Sequence, residues 1–219
     1  MVKVERSWPA PASLEKEKKK KSGTYRTDEV IQRLNADFHN KCYICEMKGL
    51  QAPEIEHRLP HHNGEDRDRM FDWNNLFLAC SHCNKVKNRK KYESGIIDCC
   101  QSDPEQSLLL RVMEDEVIAE LKTETEDAEI LNTKMLLNDV FNKDVHGMRT
   151  LSCKEKYNEL LCEMNAFYRL LEKYDKPDHS EDMEMEMKEI LSRESPFAQF
   201  KRDYIRSKED EYPDLVRFM

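Results

Sequence analysis

Apolar positions follow a readable rhythm along most of this chain and lose it in two places. From Tyr25 to Phe38, Val30, Ile31, Leu34 and Phe38 fall three or four residues apart. That spacing predicts a helix packed against the next segment of the chain, with Thr27 placed to open it. LLLRVM at 108–113 and VIAEL at 117–121 flank Glu114-Asp115, the pattern of a β-hairpin. Helical spacing returns over 126–141, through Ile130, Leu131, Met135, Leu136 and Val140. A further helix is predicted through Tyr157, Leu160, Leu161, Met164, Phe167, Leu170 and Leu171, and an acidic one from Asp182 to Leu191, before a polar tail. Residues 1–22 break the rhythm with Pro9, Pro11 and the run EKEKKKK. The prolines argue against a regular helix there, and the lysines read as solvated surface, with phosphate contact the alternative. Residues 40–92 break it again, short and irregular and rich in special residue types, as a metal-stapled module should be. There is no internal repeat.

Composition narrows the class. Of 219 residues, 38% are hydrophobic and 37% charged, lean for one large core, and 5 glycines and 8 prolines argue against a sandwich of many tight turns. No apolar run is long enough to span a bilayer, and the opening residues lack the apolar stretch of a signal peptide, so the expectation is a soluble cytoplasmic protein. The net charge of −8 is unevenly spread. Asn84 to Tyr92 reads NKVKNRKKY, five basic residues and no acid, whereas Asp175 to the end carries 13 Asp/Glu against 8 Lys/Arg.

Cysteines change the picture most. Four of the 8 form two Cys-x-x-Cys pairs, Cys42/Cys45 and Cys80/Cys83, 34 residues apart. Each pair can sit on a tight knuckle, and four thiolates close a tetrahedron around zinc, leaving no open position for water, so the ion is structural. Cys99, Cys100, Cys153 and Cys162 show no ligand spacing and read as structural or incidental. A pair of unrelated knuckles, one redox-active, is the alternative.

Between and beyond the pairs lie Glu54-Ile55-Glu56-His57-Arg58-Leu59-Pro60, then Trp73-Asn74-Asn75-Leu76, then Cys80-Ser81-His82-Cys83-Asn84-Lys85-Val86-Lys87. In this order the set resembles the HNH (ββα-metal) endonucleases. The resemblance implies an α+β fold, a zinc-stapled ββα-metal module followed by a β-hairpin and a mainly helical C-terminal region. It divides the chain into an N-terminal arm and helix (1–39), the nuclease module (40–100) and a hairpin and helical docking region (101–219). It implies His57 as general base, Glu56 and Asn84 as oxygen ligands of a catalytic Mg²⁺ or Mn²⁺, and Asn75 as the residue that ties down the loop and orients His57. Glu56 is expected on the opposite face of the strand from His57. Leu76 directly after Asn75 selects it over Asn74. Lys85, Lys87, Arg89, Lys90 and Lys91 are expected at flanking phosphates. His61 and His62 stay open between a loop role and a ligand role, and His82 reads as an exposed knuckle residue.

A narrower likeness extends outside the module. Arg6, Pro9, Pro11 and Leu14, the hairpin after Asp98, and Leu136-Leu137-Asn138 read as a helix end are similar to PtuB-type proteins, the nuclease subunits of Septu and retron-linked anti-phage (antiviral defence) systems. That likeness implies nucleic acid as substrate, DNA before RNA, and a PtuA-type ATPase as partner. The chain departs from it at Asp98, followed by Cys99-Cys100 where the branch often has Asp-Pro, and in the acidic segment after Pro177. Alternatives are a stand-alone restriction-type nuclease, a non-catalytic zinc module that binds nucleic acid, and an interaction protein with a vestigial nuclease.

Overall fold

The computed structural model describes residues 1–142, 144–145, 148–176 and 180–219. Pro177, where the acidic segment is expected to start, lies outside the described residues. The order is α1 (Ala12–Lys18), α2 (Asp28–Asp37), β1 (Glu54–His57), α3 (Arg67–Met70), β2 (Leu76–Ala79), α4 (Ser81–Lys87), α5 (Pro104–Ser107), β3 (Leu108–Met113), β4 (Glu116–Leu121), α6 (Ala128–Asn142), β5 (Asp144–Val145), β6 (Met148–Arg149), α7 (Leu151–Tyr174), α8 (Glu181–Ile190), α9 (Ala198–Arg206) and α10 (Pro213–Val216). Helices and small antiparallel sheets thus make a mixed α and β fold. Among the described residues each sheet has two strands, and β1 pairs with β2 from Glu54 opposite Ala79 to His57 opposite Leu76.

The first helix corrects the reading of residues 1–22. Proline restricts its own φ and the residue before it, not the residues after it. Pro11 therefore stands just ahead of α1, whose free amides at Ala12 and Ser13 donate to the Glu29 carboxylate of α2 at 3.1 and 2.9 Å. Leu14 is buried, and Lys19, Lys20 and Lys21 are exposed, as a solvated run should be. Thr27 opens α2, its hydroxyl accepting from Val30 N. Ahead of these helices Arg6 enters the module's core. Its guanidinium donates to the carbonyls of Trp73 and Leu76 at 2.8 and 2.9 Å and stacks over the Trp73 and Phe77 rings, each 4.8 Å from the centroid.

Helix α6 runs past Leu136-Leu137-Asn138 to Asn142, so the expected helix end is an interior turn. The reason is visible at the neighbouring strand. Asn138 and Asn142, one turn apart, meet the backbone N–H and C=O of Ala119 and Val117 in β4. Amide side chains thereby satisfy an edge strand that would otherwise be open to pairing.

The polar tail is also corrected. Phe197, Phe200, Ile205 and Leu215 are buried, and so are Lys201, Arg202 and Asp203 in α9. The charges that disguise this helix as surface are paired inside. Glu105, 2% exposed, takes Arg193 Nε at 3.0 Å, Arg202 Nε at 2.6 Å and Arg206 Nη2 at 2.9 Å. Burial works against its charge, but Arg202 and Arg206 hold its carboxyl below the ordinary range. Asp203 accepts from Leu110 N of β3 at 2.9 Å. The C-terminal segment also grips the first cysteine knuckle. Lys41 Nζ reaches the carbonyls of Arg193 (2.5 Å) and Ser195 (3.0 Å), and the Met1 amine bridges Glu46 and Gln199.

Candidate metal centre and active site

The first knuckle is closed by Cys42 N donating to Met47 O and Glu46 N donating to Cys42 O, with Glu46 at φ 63°. The second opens α4: Cys80 is its N-cap, and Cys80 Sγ accepts from Cys83 N. The strand pair between them brings the knuckles together. Tyr43 N donates to Leu78 O in β2, and β2 runs directly into Cys80.

All four sulfurs lie within 4.8 Å of one another, buried, with Cys45 and Cys80 Sγ at 4.0 Å. Tetrahedral Zn–S bonds of about 2.3 Å put sulfurs about 3.8 Å apart, so the cluster fits zinc. Hydrogen bonds from Cys42, Cys45 and Cys83 pull the Cys80 thiol down, while burial pushes Cys45 and Cys83 up. Only a cation at the centre lets four thiolates coexist there. Burial works against the charge on Lys156 of α7, but the four cysteines beside it keep its amine above its usual value. His82 is corrected from exposed to half-buried: its Nε2 lies 2.9 Å from Val140 O and 3.8 Å from Cys153 Sγ, which ties the knuckle to α6 and α7.

Strand β1 carries Glu56 and His57 to one cavity of about 360 Å³, which Asn84 of α4 also lines. His57 is 9% exposed, and its Nε2 lies 3.1 Å from Met70 O. A carbonyl only accepts, so the ring proton sits on Nε2 and the Nδ1 lone pair is the basic atom. Tyr25 packs edge-on against the ring at 4.5 Å, and the His61 ring lies tilted beside it at 4.3 Å. Burial lowers the His57 pKa from 6.5 to about 4. The imidazole is thus neutral at physiological pH, and a phosphodiester anion beside it would raise its proton affinity. In zinc-loaded protein without Mg²⁺ the His57 Cε1–H resonance should titrate near pH 4, and a midpoint near 6.5 would contradict the buried placement. Between those two values the unfolded chain binds a proton that the folded one does not, so this group makes stability fall as pH drops from 6.5 to 4.

Asn75 is 5% exposed. Its Oδ1 accepts from Leu59 N at 2.8 Å, and its Nδ2 donates to the carbonyls of Leu59 (2.9 Å) and Arg69 (3.1 Å). Arg69 directly precedes Met70, the residue that holds His57. Glu56 is buried between the Tyr43 hydroxyl and Lys87, whose Nζ is 2.6 Å from Oε1. Asn84 donates to Glu54 and accepts from Asn88 Nδ2 at 2.8 Å.

The basic run is divided between internal partners and solvent. Lys87 is 4% exposed and donates to the carbonyls of His57 and Arg58 at 2.6 Å, besides pairing with Glu56. Its four-carbon stem points inward because α4 buries that face with Cys83 and Val86. Arg89 and Lys91 share the Asp139 carboxylate at 3.3 and 2.6 Å. Lys85 and Lys90 are exposed and have no ion pair among the described residues. The cavity also has walls outside the set expected from sequence: Tyr25, Arg26, Asn63 and Asn88. Asn88 stands one helical turn beyond Asn84 and could be found that way; Tyr25 and Arg26 carry no spacing signal. No curated protein matches this chain. Residues 42–90, from the first zinc-knuckle cysteine through α4, match the family model of the HNH endonuclease, a family of metal-dependent nucleases.

Proposed function

We propose that the chain is a metal-dependent endonuclease that hydrolyses phosphodiester bonds of DNA in preference to RNA. The observation that carries this reading is a neutral His57 with a free Nδ1, sharing one cavity with the oxygen donors Glu56 and Asn84. His57 Nδ1 would take the proton of the attacking water, and Asn75 would position it through the Arg69–Met70 backbone. Glu56 Oε1 is buried, makes no hydrogen bond, and faces the Lys87 ammonium, so the position already favours a cation beside an anionic oxygen. Hard oxygens from Glu56 and Asn84 suit Mg²⁺ or Mn²⁺, which would supply charge stabilisation at the phosphate and the leaving oxygen. The zinc cluster would hold β1, β2 and α4 in register around the cavity.

A PtuB-type role, as effector of an anti-phage complex with a PtuA-type ATPase, fits the electrostatics. A chain of net charge −8 whose Lys87, Arg89 and Lys91 are committed internally has few cations left for a duplex. Grip on DNA would then come from the partner. With Mg²⁺ and the ATPase present, a labelled duplex should be cut faster than RNA of the same sequence. The chain alone should bind the duplex weakly and lose it as salt rises. Cleavage of neither substrate, with the complex formed, would overturn the nuclease reading, and tight salt-resistant binding by the chain alone would overturn the partner role.

A further inference from the structure

The cavity around His57 is completed by a segment outside residues 42–90. Tyr25 and Arg26 belong to the loop between α1 and α2, and both line the cavity. Several contacts build that loop into place. Gly23 folds against the end of α1 so closely that a Cβ there would meet Glu17 O at 1.8 Å. Arg67, from the segment between β1 and β2, donates to the carbonyls of Lys18 and Lys20 at 2.6 and 2.9 Å, clamping the loop to the module. Tyr25 seats its ring on His57 and also faces His61 at 6.2 Å. Arg26 N donates to Thr24 Oγ1, and the guanidinium lies over the Tyr25 ring at 5.6 Å.

Arg26 differs from the other charged group of the cavity wall. Glu56, the acid on the cavity wall, is matched by Lys87. Arg26 is exposed, its one side-chain hydrogen bond is a long one to the Tyr25 hydroxyl at 3.4 Å, and no carboxylate pairs with it among the described residues. A guanidinium with free donors at the mouth of a cavity that holds a general base suits a phosphate oxygen in geometry and charge.

Resting on the nuclease reading above, we propose that Arg26 is the cation that binds the phosphodiester at this site, the role expected from sequence for the basic run after Asn84. It would hold the scissile phosphate or its neighbour against His57 and offset charge that grows as water attacks.

The test compares full-length wild type, Arg26→Ala and Arg26→Lys, each zinc-loaded and in complex with the ATPase proposed as partner, in two assays. One is cleavage of a labelled duplex with Mg²⁺. The other is binding of that duplex over a salt series, with Ca²⁺ replacing Mg²⁺. Arg26→Ala should lower kcat/KM about a hundredfold. It should also flatten the slope of log Kd against log salt by about 0.9, the loss of one phosphate contact, which a merely structural role would not do. Arg26→Lys should restore the slope and only part of the rate, because the charge returns without the fork. If wild type cuts and Arg26→Ala matches it in rate and slope, the assignment of Arg26 is overturned and the nuclease reading stands. If wild type cuts nothing, the nuclease reading falls and takes this assignment with it.

Discussion

Cys80→Ser should unfold the zinc-holding part of the chain, not merely slow a reaction. Four buried sulfurs within 4.8 Å of one another are a liability without an ion, because burial raises some of these thiols while their neighbours lower Cys80. Structural zinc contributes on the order of 10–16 kcal/mol in small zinc-dependent folds, as much as the whole stability of a typical domain. Cys80 has a second duty, since its Sγ caps α4, and α4 carries Asn84 to the cavity. The damage should spread. The first knuckle meets the C-terminal segment through Lys41 and Glu46, and the second meets α6 and α7 through His82. Metal analysis should find about one zinc per wild-type chain and much less in the variant. Thermal unfolding of the variant should lose its cooperative transition at temperatures where wild type is intact. Cys162→Ser, at an exposed position, should leave both unchanged. A zinc-free chain that unfolds like wild type would refute the site.

His57→Ala should lower the single-turnover cleavage rate by about 10²–10⁴-fold, the usual worth of a positioned general base. The fold should survive. Among the described residues the ring hydrogen-bonds only Met70 O, it packs on Tyr25 and His61, and the strand is held by its pairing with β2 and by Lys87 on the His57 carbonyl. Zinc content should be unchanged, since His57 is not among the four ligands. Loss of rate together with loss of zinc would make the residue structural instead.

Much of this is legible in the sequence, for reasons that can be named. The hairpin, α6, α7 and α8 show the periodicity of elements with one buried face, and the cysteine knuckles announce themselves by spacing. The hidden parts are those where polar residues have structural roles. Helix α9 reads as surface because Lys201, Arg202 and Asp203 are charged, and only the buried carboxylate of Glu105 and the backbone of β3 reveal why two of them turn inward. Lys87 reads as a phosphate ligand because it sits in a basic run, yet helix geometry turns it to Glu56. Strand alternation predicts that Glu56 and His57 straddle β1, and both line one cavity, Glu56 through a carboxylate held by Tyr43 and Lys87. Tyr25 and Arg26 cannot be found from spacing, because a loop clamped by Arg67 brings them in from far along the chain.

The most direct test of the account is a single-turnover time course. Zinc-loaded wild type and His57→Ala, each in excess over one labelled duplex and each with the ATPase proposed as partner, are followed with Mg²⁺ added or withheld. Cut product is expected from wild type only when Mg²⁺ is present, and almost none from His57→Ala under either condition. Equal cutting by the two proteins, or none by a folded, zinc-loaded wild type with Mg²⁺, would contradict it.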